Sequence, residues 1–165
     1  MNFQFYVEKL KASEKYKEFI KENPDAYPCS GFIIIEPGGK DNQQHVDFFL
    51  KDKIFSFKIE AGCELVPVEI IGNEIPEQIS LDVNFNFEEI QKLIQDKMQE
   101  QKINNKIQKF LFSFQKKDKK HFLNGTVFIS NLGMLKACID LESMVVTELE
   151  KKSFFDVMKP FKKKD

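Results

Sequence analysis

Residues 134–149, MLKACIDLESMVVTEL, place one thiol near several carboxylates, at Cys138, Asp140, Glu142 and Glu148. A cysteine nucleophile needs a neighbouring base or a positive environment to form its thiolate. Lys136 and Asp140 flank Cys138 on the same side of an alternating pattern, and no histidine is close in the sequence. We therefore interpret this segment as a β-hairpin whose outer face is polar, and a thiol enzyme using Cys138 stays open as an alternative.

The two histidines, His45 and His121, could join Cys29, Cys63 and Cys138 only if the fold gathered them. Structural zinc sites use four nitrogen or sulfur ligands at short paired spacings, such as CxxC or HxxxH. Neither spacing occurs in this sequence. We predict no metal site, and we interpret the histidines as exposed residues at the starts of two strands.

Two further patterns carry charge without specifying a reaction. The segment EPGGK, residues 36–40, is followed by Asp41 instead of the serine or threonine of a Walker loop, so it predicts a hairpin turn. The acidic pair Glu88-Glu89 suits a helix N-terminus, and Glu148 and Glu150 suit a solvated strand face. The sequence thus predicts no catalytic or cofactor-binding residue and no cofactor, and we expect a protein that is not an enzyme.

The amino-acid composition argues against nucleic acid as a partner and indicates an aromatic core. The chain has 165 residues, a net charge of −1, 25 basic residues that are all lysine, and 18 phenylalanines without a single tryptophan. Arginine is the usual bidentate partner of phosphate and guanine, so its absence predicts no nucleic-acid binding. Phenylalanine has no polar group, so we expect most of these rings to lie in the core.

Three separated cysteines favour reduced thiols, and the N-terminal segment MNFQFYVEKLK lacks the apolar run of a signal peptide, so we expect a cytoplasmic protein. Lysines at 116–120 and 162–164, with Phe154, Phe155 and Phe161, could touch an anionic lipid surface. We interpret the first group as a solvated turn and the second as a solubilising end. No stretch approaches the length of a membrane span, so we expect no stable membrane insertion.

Apolar periodicity predicts the elements that must position these residues. Residues 3–22 have helical spacing with a kink at Ser13, and residues 87–100 form the strongest helix, capped by Asn86. Alternating segments predict strands at 31–36, 45–50, 53–59, 64–71, 106–115, 121–130 and on both sides of the turn at 141–143. Pro67 suggests that the fourth strand lies at a sheet edge, and Gly125 suggests a bulge.

The same order of elements occurs twice, which predicts an α+β protein with two similar halves, residues 1–72 and 81–155, followed by a basic tail at 156–165. Each half reads as helix, strand, strand, strand, and His45 and His121 occupy equivalent places. We interpret this pattern as a tandem repeat of two antiparallel meanders, each packed on a helix. Whether the two sheets join edge to edge or the halves pack face to face stays open.

The segment KACIDLESMVVTEL, residues 136–149, resembles the closing hairpin of small PepSY-type domains, in which an Asp ends one strand and a valine-rich strand returns after a turn. The turn of this chain has Glu142-Ser143 in place of the usual Thr-Gly. The resemblance implies a binding or inhibitory module without catalysis.

Three functions are therefore carried forward. The first is a non-catalytic binding or protein-interaction module that forms a homodimer or holds an extended peptide at a sheet edge. The second is a carrier of an apolar ligand in a phenylalanine-lined cavity. The third is the thiol enzyme using Cys138.

Overall fold

The computed structural model describes residues 2–39, 42–70 and 72–153. Three α-helices and one eight-stranded antiparallel sheet make up this part of the chain, which confirms the α+β class. The helices are α1 (Phe3–Ala12), α2 (Glu14–Glu22) and α3 (Phe87–Glu100). The strands are β1 (Tyr27–Ile35), β2 (Gln43–Leu50), β3 (Lys53–Lys58), β4 (Glu64–Val68), β5 (Ile107–Lys117), β6 (Lys120–Ile129), β7 (Gly133–Asp140) and β8 (Val145–Ser153).

Side-chain caps explain where the helices begin. The predicted kink at Ser13 is a break between α1 and α2, and the Ser13 hydroxyl accepts a hydrogen bond from the Tyr16 N–H at 3.2 Å. Asn2 and Asn86 accept from the first-turn N–H groups of α1 and α3 in the same way. These bonds satisfy backbone donors that a helix leaves without an intrahelical partner.

One sheet contains both halves, with the strand order β4-β3-β2-β1-β5-β6-β7-β8. The first strands of the two halves pair with each other, Ile33 opposite Phe112, so the meanders join edge to edge. Each half has a helical segment followed by four strands, where the sequence predicted three. The fourth strands of the two halves, β4 and β8, match the segments predicted at 64–71 and after the turn at 141–143, and β4 is an edge strand as Pro67 predicted. A tandem duplication of the sequence itself stays a prediction.

The helices cover one face of the sheet, and aromatic rings fill the space between. Eight of the fifteen phenylalanines in the described residues are buried, as the sequence predicted for most of them. Phe19 of α2 lies against Phe48 and Phe57, with ring centroids 5.8 Å and 5.3 Å apart. Phe3 and Phe85 stack at 5.0 Å where the chain enters α1 and α3. Both halves therefore share one core.

Left-handed backbone positions close the hairpins without glycine. Lys51-Asp52, Asp118-Lys119 and Asn131-Leu132 all have positive φ at both turn residues, which suits the twist of two-residue hairpins. The predicted bulge at Gly125 is wrong, because Gly125 pairs regularly with Phe112 and Ala137. A Cβ atom at this position would collide with the carbonyl oxygen of Leu111, so close backbone approach requires the glycine.

Residues 72–82 form a crossover between β4 and α3 along one end of the sheet. The Ile79 N–H donates to the Pro28 carbonyl at 2.9 Å, and the Tyr27 hydroxyl donates to the Pro76 carbonyl at 3.0 Å. Ile79 itself is buried in the core. These bonds hold the crossover against β1 of the first half.

Candidate functional site

The hairpin of β7 and β8 places Cys138 on the sheet face opposite the helices. Cys138 pairs with Asn124 and Glu148, whereas its neighbours Ala137 and Ile139 are buried on the helical face. A bulge between Cys138 and Ile139 offsets the register, so Val146 packs against the core while Val145 is exposed. The predicted hairpin is present, and Cys138 is half-buried on its outer face.

Asp140 acts on the backbone of this hairpin. Its Oδ1 atom accepts hydrogen bonds from the N–H groups of Glu142 at 2.9 Å and Ser143 at 3.2 Å. The Ser143 bond, outweighing the opposing effect of desolvation, lowers the pKa of Asp140, and the Glu142 bond and the Lys120 charge act in the same direction. Met144, with φ 54°, supplies the left-handed residue that a turn glycine would otherwise provide. Asp140 therefore holds the turn and does not lie free beside the thiol.

The fold does not bring a histidine to Cys138. His121 lies on the helical face of β6, buried and stacked on Phe114 at 5.5 Å, so the prediction that it is exposed is wrong. His45 lies on the outer face of β2, four strands from β7, which at about 4.8 Å per strand is roughly 19 Å away. Cys29 is buried, and this burial together with the Asp47 charge raises its pKa to about 11.

Each histidine has a structural partner that the sequence did not reveal. The His121 Nε2 atom accepts a hydrogen bond from the Ser80 N–H at 3.1 Å, and burial and the Lys116 charge lower the His121 pKa. The His45 Nε2 atom lies 2.8 Å from Glu60 Oε1. Burial raises the pKa of Glu60, but hydrogen bonds from the Gln44 N–H, its own backbone and His45 lower it below its usual value.

The remaining charged candidates occupy separate parts of the surface. Residues 36–39 form a turn closed by the Gly39 N–H and the Glu36 carbonyl at 2.8 Å. Glu88 and Glu89 lie in the first turn of α3, and Glu148 pairs with Lys136 at 3.1 Å. In the described ranges, no three His, Cys, Asp or Glu side chains converge where they could hold a metal ion. Lysines 162–164, Phe154, Phe155 and Phe161 lie outside the described residues.

A cleft lies between the helices and the middle of the sheet. Its volume is about 210 Å³, and it lies above the seam where β1 pairs with β5. Aliphatic and aromatic side chains form most of its wall, and polar side chains surround its mouth. The apolar wall includes Tyr6, Ile33, Ile35, Phe87, Ile90, Phe110, Phe112 and Leu123, and the polar lining includes Glu36, Asn42, Gln44, Glu88 and Gln91.

Gln44 gives this cleft a polar group at depth. Its residue surface is only 4% exposed, and it occupies the core-facing series of β2 with Val46 and Phe48. Its backbone N–H donates to Glu60 Oε2 at 3.0 Å, whereas no described residue hydrogen-bonds to its carboxamide. The carboxamide can both donate and accept hydrogen bonds, so it can pair with a polar group that enters the cleft.

The charged side chains at the mouth of the cleft already interact with other groups of the protein. Glu36 forms an ion pair with Lys109 at 3.2 Å, and Glu88 interacts with neighbouring groups. Burial raises the pKa of the Tyr6 hydroxyl, and the Glu88 charge raises it further, so Tyr6 stays neutral at physiological pH. The cleft therefore presents an apolar interior with neutral hydrogen-bonding groups.

A shallower groove continues from the cleft along α3. The two depressions share Pro37 and Gln91. Met98, Ile103 and Ile107 contribute the apolar part of the groove, and its polar lining consists of Gln91, Gln95, Gln99, Asn104, Asn105 and Lys106. The apolar-ligand alternative anticipated a phenylalanine-lined cavity but named none of its residues, and sequence reasoning missed the groove.

Comparison with protein-family models, with curated proteins and with solved structures found no match for this chain. Among the described residues, no helix combines the length and apolar character that crossing a membrane requires.

Proposed function

We propose that this protein is a non-catalytic binding module that receives an apolar group of its partner in the cleft above the β1–β5 seam. The observation that carries the proposal is the Gln44 carboxamide, to which no described residue hydrogen-bonds, among the mostly apolar side chains that line the cleft. Binding sites commonly combine an apolar lining with a few polar groups that fix orientation. The resemblance of residues 136–149 to PepSY-type hairpins implies the same class of function.

The size of the cleft limits what can enter. A dry protein cavity of roughly 150 Å³ binds benzene, so a cleft of about 210 Å³ suits one aromatic ring or one branched aliphatic group. A long acyl chain would exceed this space. The ligand group is therefore small and apolar, with a hydrogen-bonding substituent that reaches Gln44.

A titration with p-cresol and toluene, followed by amide NMR, tests this proposal. Both compounds should shift signals from Ile33, Ile90 and Phe112 saturably, and p-cresol should bind more tightly because its hydroxyl can pair with Gln44. Shifts scattered over the surface, without saturation, would remove the proposal.

Two neighbouring isoleucines provide a matched pair of variants for that titration. Ile35→Phe fills the mouth of the cleft and should weaken p-cresol binding at least fivefold. Ile34→Phe makes the same change on the opposite face of β1, since Ile34 pairs with Gln43 and Leu111, and should leave binding unchanged. Equal effects of both variants would contradict binding in the cleft.

A carrier of a small free ligand is the second candidate, and the three phenylalanines in the cleft wall, Phe87, Phe110 and Phe112, favour it. Native mass spectrometry of protein isolated from cells separates the two. A co-purifying small-molecule mass supports a carrier, and a bare chain supports a module that binds a group on a larger partner.

A homodimer or an extended peptide at a sheet edge is the other form of the interaction module. β8 offers nine residues at one edge, and it supports this form by its length. Both edges also carry features that oppose pairing: Pro67 in β4 lacks an N–H, and β8 has a bulge and several charged residues. A monomeric mass at high concentration, with no protection of the outward-facing β8 amides in hydrogen exchange, would exclude this form.

A further inference from the structure

The polar lining of the groove beside the cleft consists of amide side chains and one lysine. Three glutamines, Gln91, Gln95 and Gln99, follow one another at four-residue intervals along α3, and Asn104 lies beyond the end of the helix. No described residue hydrogen-bonds to the side chains of the three glutamines. Lys106 is the single charged residue among those that line the groove. The surface thus offers several neutral groups that each donate and accept hydrogen bonds.

The spacing of these carboxamides matches the repeat of an extended polypeptide. Four residues of an α-helix advance about 6.0 Å along its axis. Two residues of an extended chain advance about 6.4–6.8 Å, and alternate residues present their N–H and C=O groups on the same side. Successive glutamines of α3 can therefore meet successive backbone groups on one edge of such a chain.

We propose that the groove along α3 holds an extended peptide segment of a partner protein, anchored by one apolar side chain in the adjoining cleft. This inference rests on the proposed function, because it uses the cleft as the anchor site. The neutral lining complements the uncharged polar backbone of a peptide, and the shared residues Pro37 and Gln91 make groove and cleft adjacent. From Gln91 to Gln99 the helix advances about 12 Å, which corresponds to four extended residues.

Capped heptapeptides of serine and threonine with a single phenylalanine provide the probe. One peptide has the phenylalanine second from its N-terminus and the other second from its C-terminus, so that both directions along α3 are tested. Binding is followed through the amide and side-chain NH₂ signals of the protein. We expect saturable shifts at Gln91, Gln95 and Gln99 with one of the two peptides, and binding at least fivefold weaker when its phenylalanine is replaced by alanine.

Backbone N-methylation tests whether the peptide binds in an extended conformation with one edge toward the glutamines. Two versions of the binding peptide carry N-methyl groups on alternate residues, either on the odd or on the even positions. One set should weaken binding at least fivefold and the other should not, because only one edge faces the glutamines. Equal binding of both versions and of the unmethylated peptide would overturn the proposal.

Protein variants give the matched control. Gln95→Ala removes the central carboxamide and should weaken peptide binding severalfold while p-cresol binding in the cleft is unchanged. Gln108→Ala, at an exposed position of β5 outside the groove, should change neither. Peptide binding that is indifferent to Gln95→Ala would count against the groove.

The outcomes separate this inference from the proposed function. If p-cresol binds in the cleft but neither peptide shifts the groove signals, the peptide inference fails and the proposed function stands. If neither probe binds, both fail. If maltotriose shifts the glutamine signals and the peptides do not, the groove recognises a neutral oligosaccharide and the peptide proposal is overturned.

Discussion

The Nε2 atom of His121 accepts a hydrogen bond from the backbone N–H of Ser80 at 3.1 Å, which ties the crossover segment to β6. This bond requires Nε2 to be unprotonated, so the proton of the neutral ring resides on Nδ1. Phe114 stacks against the same ring at 5.5 Å. A neutral, buried histidine thus fixes the path by which the chain passes from one half of the sheet to the other.

We predict that the protein loses stability as the pH falls below about 6.5, the ordinary pKa of histidine. Burial and the charge of Lys116 lower the His121 pKa in the folded state, so the unfolded chain binds the proton first. As the pH falls from 6.5 to the lowered folded-state pKa of His121, the free energy of unfolding therefore decreases. The stability that neutral His121 contributes is fully present only above pH 6.5. Urea unfolding at a series of pH values measures this dependence.

His121→Phe should flatten that pH dependence and also lower stability by about 1–3 kcal/mol, because the Ser80 N–H loses its acceptor. His45→Phe, on the outer face, should retain the dependence in this pH range. An unchanged pH profile in the His121 variant would contradict the role assigned to this residue.

We predict that Gly125→Ala destabilises the protein by about 3 kcal/mol or more, because the added methyl group collides with the backbone carbonyl of Leu111. Gly38→Ala is the control, since its Cβ would meet no atom within 4 Å and only the positive φ of 74° is unfavourable. We expect a cost of about 1–2 kcal/mol there. Similar losses for both variants in urea unfolding would refute the close approach at Gly125.

Thiol labelling should proceed first at Cys138. Cys138 is half-buried on the outer face, whereas Cys63 is buried and Cys29 is buried with its pKa raised to about 11. A thiolate is the reacting species, so labelling of Cys29 in the native protein should be slow at pH 7. Mass spectrometry after timed alkylation measures the order in which the three cysteines are labelled. Rapid modification of Cys29 would contradict its buried environment.

We predict that the two halves, residues 1–72 and 81–155, unfold in a single transition. β1 pairs with β5 across the boundary, and the Phe3 and Phe85 rings stack at 5.0 Å. A double-mutant cycle with Phe3→Leu and Phe85→Leu should give a coupling of about 0.5–1.5 kcal/mol. Two separate unfolding transitions by circular dichroism and tyrosine fluorescence would mean that each half is an independent domain.

Much of the fold was predictable because its signals are local. The caps at Ser13 and Asn86, the alternation of Phe110, Phe112 and Phe114, and the edge position marked by Pro67 each depend on residues close in sequence. The pairing of β1 with β5 was left open because an alternating strand does not specify which neighbour it meets. The bulge beside Cys138 was missed for a similar reason, since it appears only in the register with β8.

The cleft was harder to predict, because its lining comes from distant segments. Tyr6, Gln44, Phe87 and Phe112 meet only after α1 and α3 have docked on the sheet. One signal was nevertheless present: Gln44 shares the two-residue period of Val46 and Phe48, which places an amide on the core-facing side of β2. A polar residue in an apolar series is the feature by which this site could have been found.

The most direct test is the position of 4-bromophenol in crystals of the protein, located by the anomalous scattering of bromine. We predict one dominant bromine peak in the cleft, within contact distance of Ile90, Phe110 or Phe112, with the phenol oxygen near the Gln44 carboxamide. Gln44→Leu should lower the occupancy, and Gln43→Leu, its neighbour on the outer face, should not. A peak on the outer face of the sheet, or no peak near the cleft, would contradict the account.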